Sequence, residues 1–342
     1  MGLTRSLKLF ALGLVALTLL AIVGRSTHAQ PRISLINASY DPTRELYARL
    51  NQRFIADYAR TEQTQVQVRQ THGGSSRQAR AVINHELEAD VVTLALPSDI
   101  DALQKRGLIA AGWAARLPNE SRPYYSTIVF VVRAGNPHGI HDWPDLIQPG
   151  VEIITPDPRS SGNGKLSALA AWGSILKRGG SEAEARAYLK AFYQHAPFLE
   201  SGARDAASAF AIEKLGDVHL TWENEALHET AQSSGALELV YPPLSILAEP
   251  AVAWVDANVV QHQTEAAARA YLEFLFSDAA QEIIAESGYR PFNPSVLARH
   301  AAGFPRLSLF PIQDIAKNWL DAQQRFFAED GILASVYEPK PR

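Results

Sequence analysis

Cysteine is absent from all 342 residues, and the single methionine is the first residue. That absence excludes disulfides, thiolate metal sites, cysteine nucleophiles and a lipid-modified cysteine behind a leader. No internal repeat, low-complexity tract or long run of like charge interrupts the chain, which removes solenoid and tail-like architectures from consideration. An excess of basic residues is missing too. Lys and Arg number 32 against 36 Asp and Glu, a formal charge of -4. Such a chain is poorly suited to nucleic acid or an anionic membrane surface, and any small anion it binds must be held by local dipoles against the overall field. Beyond residue 29 no apolar stretch is long enough to span a bilayer.

What is present begins with a leader. Arg5 and Lys8 precede an apolar run of residues 9–23, and Thr27-His28-Ala29 closes it with small residues, so residues 1–29 read as a cleaved secretory signal and the mature chain starts at Gln30. Removing Arg5, Lys8 and Arg25 makes the remainder more acidic. Export without a lipid anchor fits a soluble periplasmic protein. The remaining length, with 46% hydrophobic residues, is long for one domain and predicts two lobes.

Apolar segments of period two alternate with segments of helical period, the pattern of an α/β protein. Residues 33–38, 64–70 and 90–96 read as strands, each followed by a helix or helix start. Residues 44–58 form the first helix, with Asp41 as its N-cap and Pro42 at its first position, and residues 76–87 form the second. Further strands fall at 125–133, 151–155, 218–222 and 251–255, and further helices at 164–177, 182–195, 205–215, 264–276, 278–286 and 312–327. Proline-containing stretches at 118–123 and 241–250 flank the middle block, which predicts one lobe from residues 30–120 and 246–342, a second from 121–245, and a cleft between them.

Four junctions lead a strand into a helix through small residues: Asn37-Ala-Ser-Tyr-Asp-Pro42, Gln70-Thr-His-Gly-Gly-Ser-Ser76, Pro158-Arg-Ser-Ser-Gly-Asn-Gly164 and Glu200-Ser-Gly-Ala-Arg204. A helix start leaves N–H groups unpaired and carries about half a positive charge, so each junction can cradle an anion as well as form an ordinary cap. The third is not a P-loop, because Lys165 is followed by Leu166 and Arg159 stands where a glycine is needed. Trp222, at a strand end, adds an indole N–H that can only donate, beside its ordinary role in core packing.

Taken with Ala89-Asp-Val-Val-Thr-Leu-Ala-Leu96, Ala170-Ala-Trp-Gly173, Trp222-Glu-Asn-Glu-Ala226 and Ile246-Leu-Ala-Glu-Pro250, these segments resemble, in unbroken order, the periplasmic sulfate-binding proteins of ABC importers. The resemblance implies a type II periplasmic binding protein, two α/β lobes joined by two crossovers, closing over one sulfate and delivering it to a membrane permease as a monomer. It implies as ligand groups the backbone N–H of Asp41, the hydroxyls of Ser75 and Ser161, the N–H groups of Gly162, Asn163 and Ala203, and the indole of Trp222. Arg204 backs the site without touching the anion, and no cofactor or metal is implied. The chain departs from the sulfate pattern at Asn163-Gly-Lys165 and at Asp205. Ser161-Gly-Asn163 and Ala251-Val-Ala-Trp-Val-Asp256 resemble the thiosulfate-binding branch, so a thiosulfate-preferring protein is the alternative. Sulfate carries no proton at neutral pH, whereas phosphate needs an acceptor, so a donor-only site would discriminate between them, with the Asp41 carboxylate turned away as a helix cap.

From another class, a secreted hydrolase of a sulfate or phosphate ester would need a nucleophile. Ser174-Ile-Leu-Lys177 matches Ser-x-x-Lys late in a helix without a companion Lys-Thr-Gly, and no Gly-x-Ser-x-Gly is present. His138 and His141 make only two ligands, and Glu223 with Glu225 reads as a solvated helix start, so neither pair makes a metal or acid/base site.

Overall fold

A computed structural model describes residues 32–337; the expected leader lies outside them. In chain order the first unit comprises β1 (Arg32–Tyr40), α1 (Arg44–Thr61), β2 (Gln65–Gly73), α2 (Ser75–Ile83), β3 (Val91–Leu94) and α3 (Pro97–Lys105). The middle unit holds β4 (Ile128–Arg133), β5 (Ile153–Pro156), α4 (Gly162–Leu176), α5 (Glu182–Gln194), β6 (Leu199–Glu200), α6 (Ala203–Ala211), β7 (Val218–Trp222), α7 (Glu223–Gln232) and β8 (Leu237–Val240). The chain then returns as β9 (Ala251–Trp254), α8 (Glu265–Phe274) and α9 (Asp278–Glu286), and ends in α10 (Trp319–Phe327) and α11 (Ile332–Val336).

Two twisted sheets result, each covered by helices. One has the order β9-β3-β1-β2, parallel except for β9. The other has the order β6-β5-β7-β4-β8, in which β4 runs antiparallel to both neighbours. β3 (Val-Val-Thr-Leu) is buried throughout, and β7 is buried at all five positions although it alternates Val218, Leu220 and Trp222 with His219 and Thr221. The chain leaves the first sheet after β3 and comes back before β9. These two passages run side by side: Ser126 and Ala248 exchange backbone hydrogen bonds of 2.8 and 2.9 Å, and Thr127 Oγ1 donates to Ile246 O at 2.7 Å. The fold class read from the sequence is present, two α/β lobes of the type II periplasmic binding protein kind.

Boundaries differ where local chemistry competes with periodicity. The helix expected at 76–87 stops at Ile83 and turns through His85, whose φ is 58°. The single helix expected at 312–327 is a short 3₁₀ turn (Ile312–Asp314) followed by α10, which restarts on Asn318, whose side chain accepts from Asp321 N–H. Asp41 is not a helix N-cap. Asp41–Thr43 form a 3₁₀ turn, and α1 begins only at Arg44.

The largest departure concerns residues 308–337, expected to join the first lobe; Val296 and Phe304 before them still pack with Ala285 of α9. Phe310, Ile312, Trp319, Phe326 and Ile332 instead enter the core built around β4, β5, β7 and α4. Residues 308–310 pair parallel to 244–246, Phe326 stands edge-on to Trp172 with ring centres 5.2 Å apart, and Tyr337 packs on Tyr193 at 5.0 Å. A third passage therefore straps the C-terminal segment across the second lobe. Sequence periodicity could not show this, since it reports which face of a helix is apolar and not which core that face joins. Replacing the buried Phe326 with alanine is expected to cost about 3–5 kcal/mol of unfolding free energy, read from urea denaturation. Loss below about 1 kcal/mol would contradict the strap.

Candidate anion-binding site

Three helices and one turn begin at strand ends that meet between the lobes. β1 lies inside its sheet, so Tyr40 and Asp41 emerge near the middle of its edge, where open α/β sheets place ligands. Pro42 at the next position has no N–H, and Thr43 Oγ1 donates to Tyr40 O at 2.6 Å, locking the turn. From the first lobe α2 contributes its N-terminus at Ser75. The second lobe contributes α4 at Gly162, α6 at Ala203, and Trp222 at the end of β7. Backbone pairing starts at Gln78 in α2, Lys165 in α4 and Ala206 in α6, so the residues upstream of these have no intrahelical acceptor for their N–H groups.

All seven expected ligand residues, Asp41, Ser75, Ser161, Gly162, Asn163, Ala203 and Trp222, line one cavity together with Tyr40, Pro42 and Gly74. Its volume is about 10 Å³, about the room that one water-sized group needs. Larger depressions of about 600 Å³ lie elsewhere as open surface grooves, one beside Tyr289 and Phe304, the other between α6 and α7. The lining of the small cavity is buried: Trp222 fully, and Ser75, Ser161, Asn163 and Ala203 at most 2% exposed. Trp222 Nε1 is buried without a partner, and the Tyr40 ring packs on the indole from across the cleft at 5.2 Å.

The lobes touch closely here. A Cβ on Gly162 would lie 2.3 Å from Ala95 Cβ, and one on Gly74 would lie 2.4 Å from Ser160 O, so both positions need glycine for this closed arrangement. Arg77 N–H reaches Ser160 O at 3.4 Å and Arg80 Nη1 donates to Arg159 O at 3.1 Å.

No lysine or arginine lines the cavity. The two basic groups near it are taken by carboxylates. Lys165, 3% exposed, lies 3.2 Å from Asp99 Oδ1 and donates to Gln323 Oε1 at 2.7 Å. Arg204 bridges Glu45 of the first lobe and Glu225 of the second, the latter at 3.0 Å. His72 is pushed down to about 4 by burial and by Arg44, so it carries no charge at neutral pH. Electrostatic support for an anion is therefore left to N–H dipoles and helix starts.

Individual atoms differ from expectation. The Ser75 hydroxyl donates to Asp99 Oδ2 at 2.6 Å and accepts from Ala95 N–H at 3.0 Å, which leaves the Ser75 backbone N–H as its available donor. Ser161 Oγ accepts from Gly164 N–H at 3.5 Å, so its proton stays available. The Asp41 carboxylate, expected to cap a helix, pairs with Arg44 at 3.1 Å beside Gly202, and burial raises its pKa. Asp99 was not anticipated. It receives Ser75, Ser76 (2.9 Å) and Lys165 from three directions, and its only sequence signal was its place in the first turn after Pro97.

The enzyme candidates are dispersed. Ser174 Oγ donates to Ala171 O, Lys177 pairs with Asp314 at 2.7 Å, and His138 sits 3.2 Å from Asp217. Glu223 and Glu225 are buried instead of solvated. Glu223 is bidentate to Arg290 at 2.6 and 2.7 Å, a pairing that sequence distance conceals. Among the described residues no cluster of three or more metal-ligating side chains occurs, and no helix is long and apolar enough to cross a membrane.

Residues 42–290 match the profile of the family described as bacterial extracellular solute-binding protein. This chain belongs to that family. It is 48% identical over 306 residues, 89% of this chain and 93% of the relative, to the sulfate-binding protein of Salmonella typhimurium. It is 41% identical to the thiosulfate-binding protein of Escherichia coli, over 96% of each chain. Among solved structures, the sulfate-binding protein SubI from Mycobacterium tuberculosis superposes with a TM-score of 0.77 at 30% identity, covering 86% of this solute-binding protein and 99% of SubI.

Two measurements probe this geometry. Substituting Gly74→Ala is expected to hold the lobes apart, so that small-angle scattering shows no ligand-dependent contraction while far-ultraviolet circular dichroism is unchanged; a contraction equal to wild type would show that the close approach does not limit closure. Glu225, raised to about 8 chiefly by burial despite Arg204, binds a proton in the folded state that it would release above the ordinary carboxylate range when unfolded. Stability should therefore fall as pH rises from about 4.5 to about 8. Glu225→Gln should flatten that part of the Tm profile; an unaltered slope would place the dependence elsewhere.

Proposed function

We propose that this solute-binding protein captures sulfate in the periplasm and delivers it, unchanged, to the permease of an ABC importer. One observation carries the reading: a small cavity with a buried lining of N–H, hydroxyl and indole donors from both lobes, and no lysine or arginine in its wall. A fully deprotonated tetrahedral dianion satisfies such donors. A hydrogen phosphate would leave its own proton facing donors, a mismatch that supports discrimination of about 10⁴ to 10⁵-fold. Relatives named for sulfate and for thiosulfate both support an oxyanion of sulfur. The higher identity to the relative named for sulfate favours sulfate, while Ser161-Gly-Asn163 keeps thiosulfate as a second ligand.

The mechanism is closure. In the open form the first lobe offers Asp41 and α2, and the second offers α4, α6 and Trp222. An anion held by one half recruits the other, and the closed molecule presents one surface to the transporter as a monomer. Hydrogen bonds to a charged group contribute roughly 1.5–3 kcal/mol each, and desolvation with closure offsets much of the total, consistent with micromolar or tighter binding.

Calorimetry with sulfate, thiosulfate, molybdate and phosphate tests the assignment: sulfate should bind most tightly and phosphate not measurably, and phosphate binding as tight as sulfate would refute it. Trp222→Phe removes one donor while keeping a ring, and should raise the sulfate Kd about 10- to 150-fold. An unaltered Kd in that variant would remove the indole from the site.

A further inference from the structure

Asn163 has a side chain whose task the cavity alone does not explain. It is 2% exposed, and its Nδ2 donates to Leu220 O on β7 at 3.1 Å. Leu220 stands two residues before Trp222 on the strand that ends at the indole.

The ladder between β5 and β7 shows why that carbonyl needs a donor. The strands are parallel, in register Ile153 with Val218 and Ile154 with His219, and Val218 N–H donates to Glu152 O at 3.2 Å. In a parallel ladder each strand uses alternate residues for both N–H and C=O. From this phase, the acceptors along β7 are Val218 O and then Leu220 O, and the donor for Leu220 O would be the amide of residue 156. Residue 156 is proline and has no N–H. The last rung of the ladder is missing its hydrogen, at the strand end that aims Trp222.

We infer that Asn163 is a positioning residue that supplies the hydrogen bond Pro156 cannot make. It thereby fixes the spacing between two sets of donors in the cavity, the first-turn N–H groups of α4 and the Trp222 indole. The side chain comes from the same residue whose backbone N–H lies in that turn, so one residue ties α4 directly to β7. Without it a buried carbonyl would be left unsatisfied, and the indole would gain freedom relative to the helix start. The functional consequence rests on the sulfate reading above; the structural link does not.

The test is a rescue by a second substitution. Asn163→Ala should raise the sulfate Kd about tenfold and move the ligand-free NMR signal of the Trp222 indole proton. Pro156→Ala alone should leave both near wild type, because Asn163 still serves the carbonyl. The double variant, which restores an amide opposite Leu220 O, should recover most of both losses. A drop in Tm with unchanged Kd and unchanged indole signal would reduce Asn163 to a structural role and overturn the inference, as would a double variant no better than Asn163→Ala. If wild type binds no sulfate, the indole signal still decides the structural link, and the failure then belongs to the sulfate assignment.

Discussion

Buried N–H groups without acceptors are the constraint around which this protein is built. Each of α2, α4 and α6 starts with unpaired amides, and Trp222 adds an indole proton that the protein leaves without a partner. Water would satisfy these groups in an open cleft; with the lobes together, about 10 Å³ remains for whatever does so. An orphaned buried donor costs about 1–3 kcal/mol. A closed state that buries several is therefore favoured only with a suitable acceptor in place, and that dependence makes occupancy and closure one event.

The same constraint explains the charges near the site. A lysine or arginine in the wall would hold the lobes' donors against an anion more strongly, but it would also repel the closed, empty state less selectively and would accept any anion. Here Lys165 and Arg204 are bound to Asp99, Glu45 and Glu225, which removes their net charge from the cavity while retaining their links across it. Asp99 and Glu45 belong to one lobe, Lys165 and Arg204 to the other, so the pairs form where the halves meet. The C-terminal strap, with Gln323 on Lys165 and Phe326 on Trp172, fastens α4 from behind.

Glycine and proline act at single positions. Gly74 and Gly162 permit a close approach between the lobes that any side chain would obstruct. Pro156 ends β5 abruptly so that the chain can turn into α4, and its missing amide passes a hydrogen-bonding duty to Asn163. Departures from a regular ladder thus concentrate beside the cavity, where backbone groups must point at a guest instead of at one another.

Much was legible in the chain itself. Strand-to-helix junctions, small residues and Pro42 marked the anion cradle because capping chemistry is local: it depends on residues within a few positions of each other. The α/β class followed from periodicity for the same reason. What only the tertiary structure decided were pairings between distant segments. Ser75 gives its proton to Asp99, Glu223 meets Arg290 across 67 positions, and residues from 308 onward join the second core. None of these leaves a periodic trace. They are set by which surfaces remain to be buried once two sheets have formed, and that is a property of the assembled fold.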